Sequence, residues 1–263
     1  MATFLDPPGP RTGPRGALFA LRSPLFAVAL GVLLVLPALT QASGFSVAPV
    51  RLFFGEKDRA VAIRITNEGG SDLVLQPDLQ AWSQDAHGRD QLEPSEDLVV
   101  SPPMLRLKPQ ADQTVRLILA TPRQPGRQMS YRLLIREIPP PAPSTGDVQL
   151  PIALVLSLPV FITPPKATHR LQCDWQSESD SPAVACENTG LAFARLGRLD
   201  LMRGAEVIGR FEGSVYLLPG ARRVLPIALA EGATPASATT LQAMLDNAES
   251  LRFALEPLAT ARR

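Results

Sequence analysis

Histidine, cysteine, tyrosine and tryptophan occur only twice each in this 263-residue chain. Two histidines leave little capacity for proton transfer near neutral pH. The chain also lacks a G-x-S-x-G elbow, an H-E-x-x-H pair, a phosphate-binding loop and a glycine-rich dinucleotide turn. Its carboxylates are scattered, and Glu96 and Asp97 in "SEDLVVS" read as a solvated turn. The expectation is therefore a protein that is not an enzyme and carries no cofactor. Neither His87 nor His169 stands at ligand spacing from a cysteine, so no metal site is expected. A charge excess of one sign is missing too: the formal net charge is +1. That balance argues against nucleic acid or a general membrane surface as partner.

Long hydrophobic runs are equally scarce. One, "LFAVALGVLLVLPAL" at 25–39, follows Arg11, Arg15 and Arg22 and is interrupted by Pro37. A membrane span needs about 20 apolar residues, so this shorter run reads as the core of an export signal. Thr40 and Ala42 supply small residues at the usual recognition spacing. Cleavage is expected after Ala42, giving a signal peptide over 1–42, with a retained anchor as the alternative. Export permits a disulfide between Cys173 and Cys186, for which no other cysteine competes. Two buried free thiols are the alternative reading.

What the chain has in quantity is proline (27), glycine (18) and short alternating apolar runs. "FSVAPVRLFF" (45–54), "VAIRIT", "LVLQPDLQAW" (73–82), "DLVVS" (97–101), "QTVRLILA" (113–120) and "YRLLIREI" (131–138) alternate with period two between turn signals. Seven or eight strands at such spacing fit an immunoglobulin-like sandwich. A boundary falls near "TPPKA" (163–167), and a second set of short strands follows it. The fold expected is all-β, with an N-terminal immunoglobulin-like domain over 43–163 and a C-terminal one over 164–263. "RITNEGG" and "ACENTGL" both read as strand, asparagine, turn, a faint sign that the two halves are related.

The most unusual stretch is "VQLPIALVLSLPVFI" (148–162), where every even position is a large aliphatic residue. Pro151 and Pro159 exclude a continuous helix. As one strand the run would reach about 50 Å, more than twice the common length. Both prolines are odd, so they remove donors from one edge and leave the even edge intact. The odd edge keeps donors at Ala153, Val155 and Ser157 and is tolerable only on the outside of a sheet. An exposed edge with so long an aliphatic ladder is an aggregation site unless another chain covers it. The alternative is a bent strand that changes sheets and commits its whole ladder to its own core.

Seven segments now stand in order: "VAPVRL", "ITNEGG", "LQAW", "SPPMLRLKP", "QTVRL", "YRLLIREIPP" and "LPIALVLSLPVFITP". Together, over residues 44–165, the chain resembles the periplasmic pilus-assembly chaperones of chaperone–usher systems. "YRLLIREIP" and "SLPVF" look most like the archaic branch. The second half matches only in size and pattern. The resemblance implies two immunoglobulin-like domains in a boomerang, residence in the periplasm, pilus subunits and an outer-membrane usher as partners, and action by donor-strand complementation. Leu150, Ile152, Leu154, Leu156 and Leu158 would be the donor residues. The free protein must hide or tolerate this ladder, for instance by self-association through the same edges. A two-domain adhesin or carbohydrate-binding module is the alternative function, although Trp82 and Trp175 both sit inside strand-like runs.

Arg51 shares a face with Val47, Pro49 and Phe53 in "VAPVRLFF", and a guanidinium among apolar neighbours wants an anion. The resemblance implies that it grips the terminal carboxylate of a pilus subunit in the cleft between domains. An internal ion pair is the alternative. Other branches of the family place a lysine just before the end of the long strand, where this chain has Pro159. A second basic anchor is then expected from Arg132 or Arg116, with Lys166 a weaker candidate.

Overall fold

The computed structural model describes residues 44–120, 126–140, 152–176 and 181–255. Up to residue 162 the strands are β1 (Phe45–Ala48), β2 (Leu52–Phe54), β3 (Ala60–Asn67), β4 (Leu73–Gln84), β5 (Asp90–Pro94), β6 (Leu98–Ser101), β7 (Leu105–Leu107), β8 (Asp112–Leu119), β9 (Met129–Glu137) and β10 (Val155–Ile162). They form two sheets, β1-β3-β8-β6 and β2-β10-β9-β4-β5, with β7 paired to β4. Beyond residue 170 come β11 (Leu171–Trp175), β12 (Ala183–Asn188), β13 (Ala194–Arg203), β14 (Glu206–Leu217), β15 (Arg222–Pro226), β16 (Ala228–Leu229), β17 (Thr240–Leu245) and β18 (Ser250–Ala254). These make the sheets β11-β12-β15 and β16-β14-β13-β17-β18. Among the described residues no strand of the first group pairs with one of the second. The expected all-β architecture of two sandwiches is the one observed.

Each sandwich closes on the inward set of its alternating strands. Ile63, Ile65, Leu75, Val115, Leu117, Leu133 and Ile135 are buried between the first two sheets. Leu196, Leu199, Leu201, Leu217, Leu241 and Ala243 do the same between the second pair. Removing such surface from water, at about 25 cal/mol per Å², is the main favourable term for both domains.

"FSVAPVRLFF" is not one strand. Pro49 has no N–H to give a ladder, and there the chain leaves β1, antiparallel to β3, and returns as β2, parallel to β10. The sheet switch therefore occurs at the start of the domain, not in the long aliphatic run.

The two asparagines singled out in the sequence have the same job. Asn67 accepts from Gly69 N at 3.0 Å and donates to Ser71 O at 2.8 Å. Asn188 accepts from Gly190 N at 3.0 Å and donates to Ala192 O at 2.8 Å. Each buried amide thus satisfies the backbone of the turn after its strand at offsets two and four, and each also reaches a carbonyl on another segment, Leu107 O and Leu217 O respectively. Full satisfaction is what makes a buried carboxamide tolerable. The shared pattern supports two related domains.

Cys173 and Cys186 face each other in the β11–β12 register and form the expected disulfide, Cα to Cα 4.1 Å, buried in the second core.

Candidate functional site

The long aliphatic run divides into two parts with different fates. From 155 to 162 it is strand β10, antiparallel to β9 from Val155 opposite Arg136 to Ile162 opposite Met129. Its even side chains point into the domain: Leu158, Val160 and Ile162 are buried and Leu156 packs against them half-buried. Leu158, 6% exposed, is therefore a residue of the chain's own core rather than a free donor residue, and Leu156 is only partly free. Here the alternative, a ladder committed to its own sandwich, describes the strand. Before β10 the described even residues, Ile152 and Leu154, lack such cover. Ile152 is 86% exposed and Leu154 43%. Leu150 lies outside the described residues.

The edges follow the parity read from the sequence. Leu154 O accepts from Glu137 N at 2.9 Å, so even residues hydrogen-bond towards β9. Odd residues turn their backbone groups the other way. On that side β2 covers only Val160 to Ile162. Val155 and Ser157 are exposed and face a stretch of edge that no strand of the described residues occupies. An open edge and two free aliphatic side chains thus occur together at one end of β10.

The odd side chains at the other end build the junction between the domains. Phe161, Trp82, Leu218 and Ala221 are buried together, with Phe193 and Tyr216 against them. Phe161 stacks on Phe193 at 4.2 Å and on Phe53 at 5.6 Å. Gln84 and Gln128 stitch the junction with polar bonds: Gln84 donates to Tyr216 O and accepts from Leu218 N, and Gln128 accepts from Phe193 N. Trp82 Nε1, Gln128 Nε2 and Ser130 Oγ are buried there and have no hydrogen-bond partner among the described residues.

The candidate anchors are distributed around this junction. Arg51, in the link between β1 and β2, donates from Nη1 to Asp246 Oδ2 at 2.5 Å. The internal ion pair weighed for it in the sequence is thus present, and its partner comes from the C-terminal domain. Arg195 Nη1 lies 3.4 Å from the same oxygen. Arg51, Arg195, Asp246, Phe193 and His169 line one pocket of about 340 Å³.

Arg132 stands opposite Pro159 in the β9–β10 register and lies at the junction. Its guanidinium covers the Trp82 ring at 3.7 Å, approaches the Tyr216 ring at 5.5 Å and lies 3.7 Å from Asp90 Oδ2. Burial lowers the Arg132 guanidinium below its ordinary value, and Asp90 and then Tyr216 oppose that effect. Arg116 does not share this location. It projects from β8 between buried Val115 and Leu117, so it faces solvent on the outer side of the opposite sheet. Lys166 is exposed in the link between domains. Sequence reasoning missed Arg195 and Asp246 altogether, since neither stands in a local pattern that marks it and their meeting with Arg51 is a product of how the domains pack.

Residues 44–168 match the family model described as pili and flagellar-assembly chaperone, PapD N-terminal domain. An Escherichia coli (strain K12) protein, "Uncharacterized fimbrial chaperone YbgP", is 28% identical over 182 residues, covering 64% of this chain and 72% of that protein. The fold is similar to that in the chaperone–tip adhesion subunit pre-assembly complex of the archaic chaperone-usher Csu pili of Acinetobacter baumannii. That likeness has a TM-score of 0.62 at 18% identity, over 81% of this chain and 98% of that one. It is also similar to the Salmonella enterica SafA pilin complex with the SafB chaperone, with a TM-score of 0.57 at 15% identity, over 82% and 98%.

Proposed function

We propose that the chain, whose residues 44–168 match the pili and flagellar-assembly chaperone family model, is a pilus-assembly chaperone that holds a pilus subunit by adding β10 and the residues before it to the subunit's incomplete sheet. The observation that carries this reading is the coincidence of an open backbone edge at Val155 and Ser157 with the uncovered side chains of Ile152 and Leu154. Backbone groups of the edge supply the ladder, and the two aliphatics, with Leu150 ahead of them, enter the groove left by the subunit's missing strand. Leu156 joins them only in part, and Leu158 stays in the chaperone, where it fixes the strand that carries the others.

The subunit's terminal carboxylate is proposed to reach the junction of the domains and bind Arg51, since charge-assisted bonds to guanidinium are among the strongest available. Arg132, although at the same junction, already has Trp82 and Asp90 as partners, and its proposed part is to hold the cleft wall. The leader over 1–42 would deliver the chain to the periplasm, and a held subunit would pass from there to an outer-membrane usher. The adhesin reading is not favoured: Trp82 is buried beneath Arg132 rather than displayed for a sugar.

Co-expression with candidate pilus subunits tests the proposal. A stable one-to-one complex that is lost on Ile152→Asp supports it; a complex indifferent to that change refutes it.

A further inference from the structure

We infer that the carboxylate site at the domain junction is built by both domains, with Arg195 as the second cation beside Arg51, and that Asp246 fills it in the free protein as an internal stand-in for the partner's terminal carboxylate. The inference rests on the proposed anchoring role of Arg51 and deepens it.

Three observations carry it. One carboxylate oxygen, Asp246 Oδ2, is shared by Arg51 Nη1 at 2.5 Å and Arg195 Nη1 at 3.4 Å. Two guanidiniums from different domains therefore already converge on the type of oxygen that a chain terminus would bring. Secondly, the group is open to exchange. Asp246 is 24% exposed and Arg51 36%, and both line a pocket reached from solvent. Asp246 stands in the turn between β17 and β18, next to Asn247, where Asp246 N donates to Arg195 O. Its backbone is thus fixed to the strand that carries Arg195, while its side chain can release Arg51. Thirdly, the two arginines share a single carboxylate, and the nearby His169 is directed to Glu249 Oε2 at 3.3 Å. An incoming carboxylate completes this set, and it can take Arg51 and leave Asp246 to Arg195, or take both.

Arg132 is a poorer second anchor for a physical reason. Its ring-stacked guanidinium would have to leave the face of Trp82, giving up an attraction that strengthens when the cation is desolvated. Arg195 has no such cost, because its contact with Tyr216, at 5.4 Å, is looser, its Nε donates to Ser214 Oγ at 2.8 Å and its Nη1 already faces the shared carboxylate oxygen at 3.4 Å. The missing basic residue at Pro159 is thereby supplied from the other domain. Occupying the site also becomes a way for a bound subunit to change the tie between the domains, since the contact it displaces spans them.

The test uses the full mature chain and an N-acetylated Val-Thr-Val-Thr peptide, with a free terminal carboxylate or with its amide, and follows the Nε–Hε resonances of the arginines. The wild-type protein should prefer the free carboxylate. Asp246→Asn, which keeps the shape and removes the competing charge, should tighten that peptide about two- to fivefold, the scale of a partly exposed ion pair, and leave the amide unchanged. Arg195→Ala should weaken the carboxylate peptide about fivefold or more, with partial recovery in Arg195→Lys. Thermal melts of each variant separate loss of binding from loss of fold. If Arg51→Ala removes the carboxylate preference while Asp246→Asn fails to tighten and Arg195→Ala does nothing, the two-domain site is wrong and the Arg51 anchor stands alone. A weaker Asp246→Asn that melts normally identifies Asp246 as a clamp and overturns the stand-in role. If the wild type does not distinguish carboxylate from amide, the anchoring role of Arg51 falls and this inference with it.

Discussion

Replacing Ile152 by aspartate and Leu158 by alanine should separate two halves of one aliphatic ladder. Ile152 is 86% exposed, so Ile152→Asp should change the stability of the free chain by no more than about 0.5 kcal/mol, the usual range for surface positions. In a subunit groove the same change forfeits about 1.5–3 kcal/mol of aliphatic burial and adds the larger cost of an unpaired buried carboxylate. Binding should then fall by about a hundredfold or more, since each 1.4 kcal/mol is tenfold. Leu158 is 6% exposed and packs in the first core. Leu158→Ala should therefore cost about 2–5 kcal/mol of folding stability, a fall in Tm on the order of 10 °C for a domain of this size. The assays are a thermal melt of each purified variant and recovery of a co-expressed subunit on the tagged chaperone. The reasoning is refuted if Ile152→Asp melts as low as Leu158→Ala, or if it recovers subunits as the wild type does.

Arg51→Ala should abolish subunit recovery yet lower stability by less than about 1 kcal/mol, because the Asp246 pair is partly exposed; a melt and a pull-down on the same preparation check both. Ser130→Ala removes a buried hydroxyl that has no partner among the described residues, so it should leave Tm unchanged or raise it, and a clear fall would mean that the hydroxyl is satisfied in solution. Replacing Cys173 and Cys186 together by alanine should cost about 2–3 kcal/mol, as expected for a bridge closing a short loop, read as a lower midpoint in urea.

Much of this fold was legible from period and punctuation. The strands of "VAIRIT" and "QTVRLILA" carry their burial in alternation, and the structure places them where that alternation does; "YRLLIREI" departs from it, with Leu133, Leu134 and Ile135 all buried. β5 was not legible: every residue of "DQLEP" is exposed, so no apolar period marks it, and it is a strand only because β4 offers an edge. The break at Pro49 was hidden by a pattern that continues across it, since alternation reports which face a residue takes and not which sheet it joins. In the long run the sequence correctly separated the two edges, as the Leu154 bond to Glu137 demonstrates. It could not tell where the sandwich ends beneath the ladder, and Leu158 was consequently grouped with Ile152. Arg51 was singled out through a face read across Val47, Pro49 and Phe53, which the break at Pro49 divides between two sheets. Its partner was not, because Asp246 is 195 residues away and becomes a neighbour only when the two domains meet.

The most direct test of the donor-strand account is amide hydrogen exchange at Val155 and Ser157, measured free and in a purified complex with a pilus subunit. Both amides point to the open edge, so they should exchange quickly in the free chaperone and be slowed by orders of magnitude once a subunit strand pairs with them. Fast exchange at both positions in an intact complex would contradict the account.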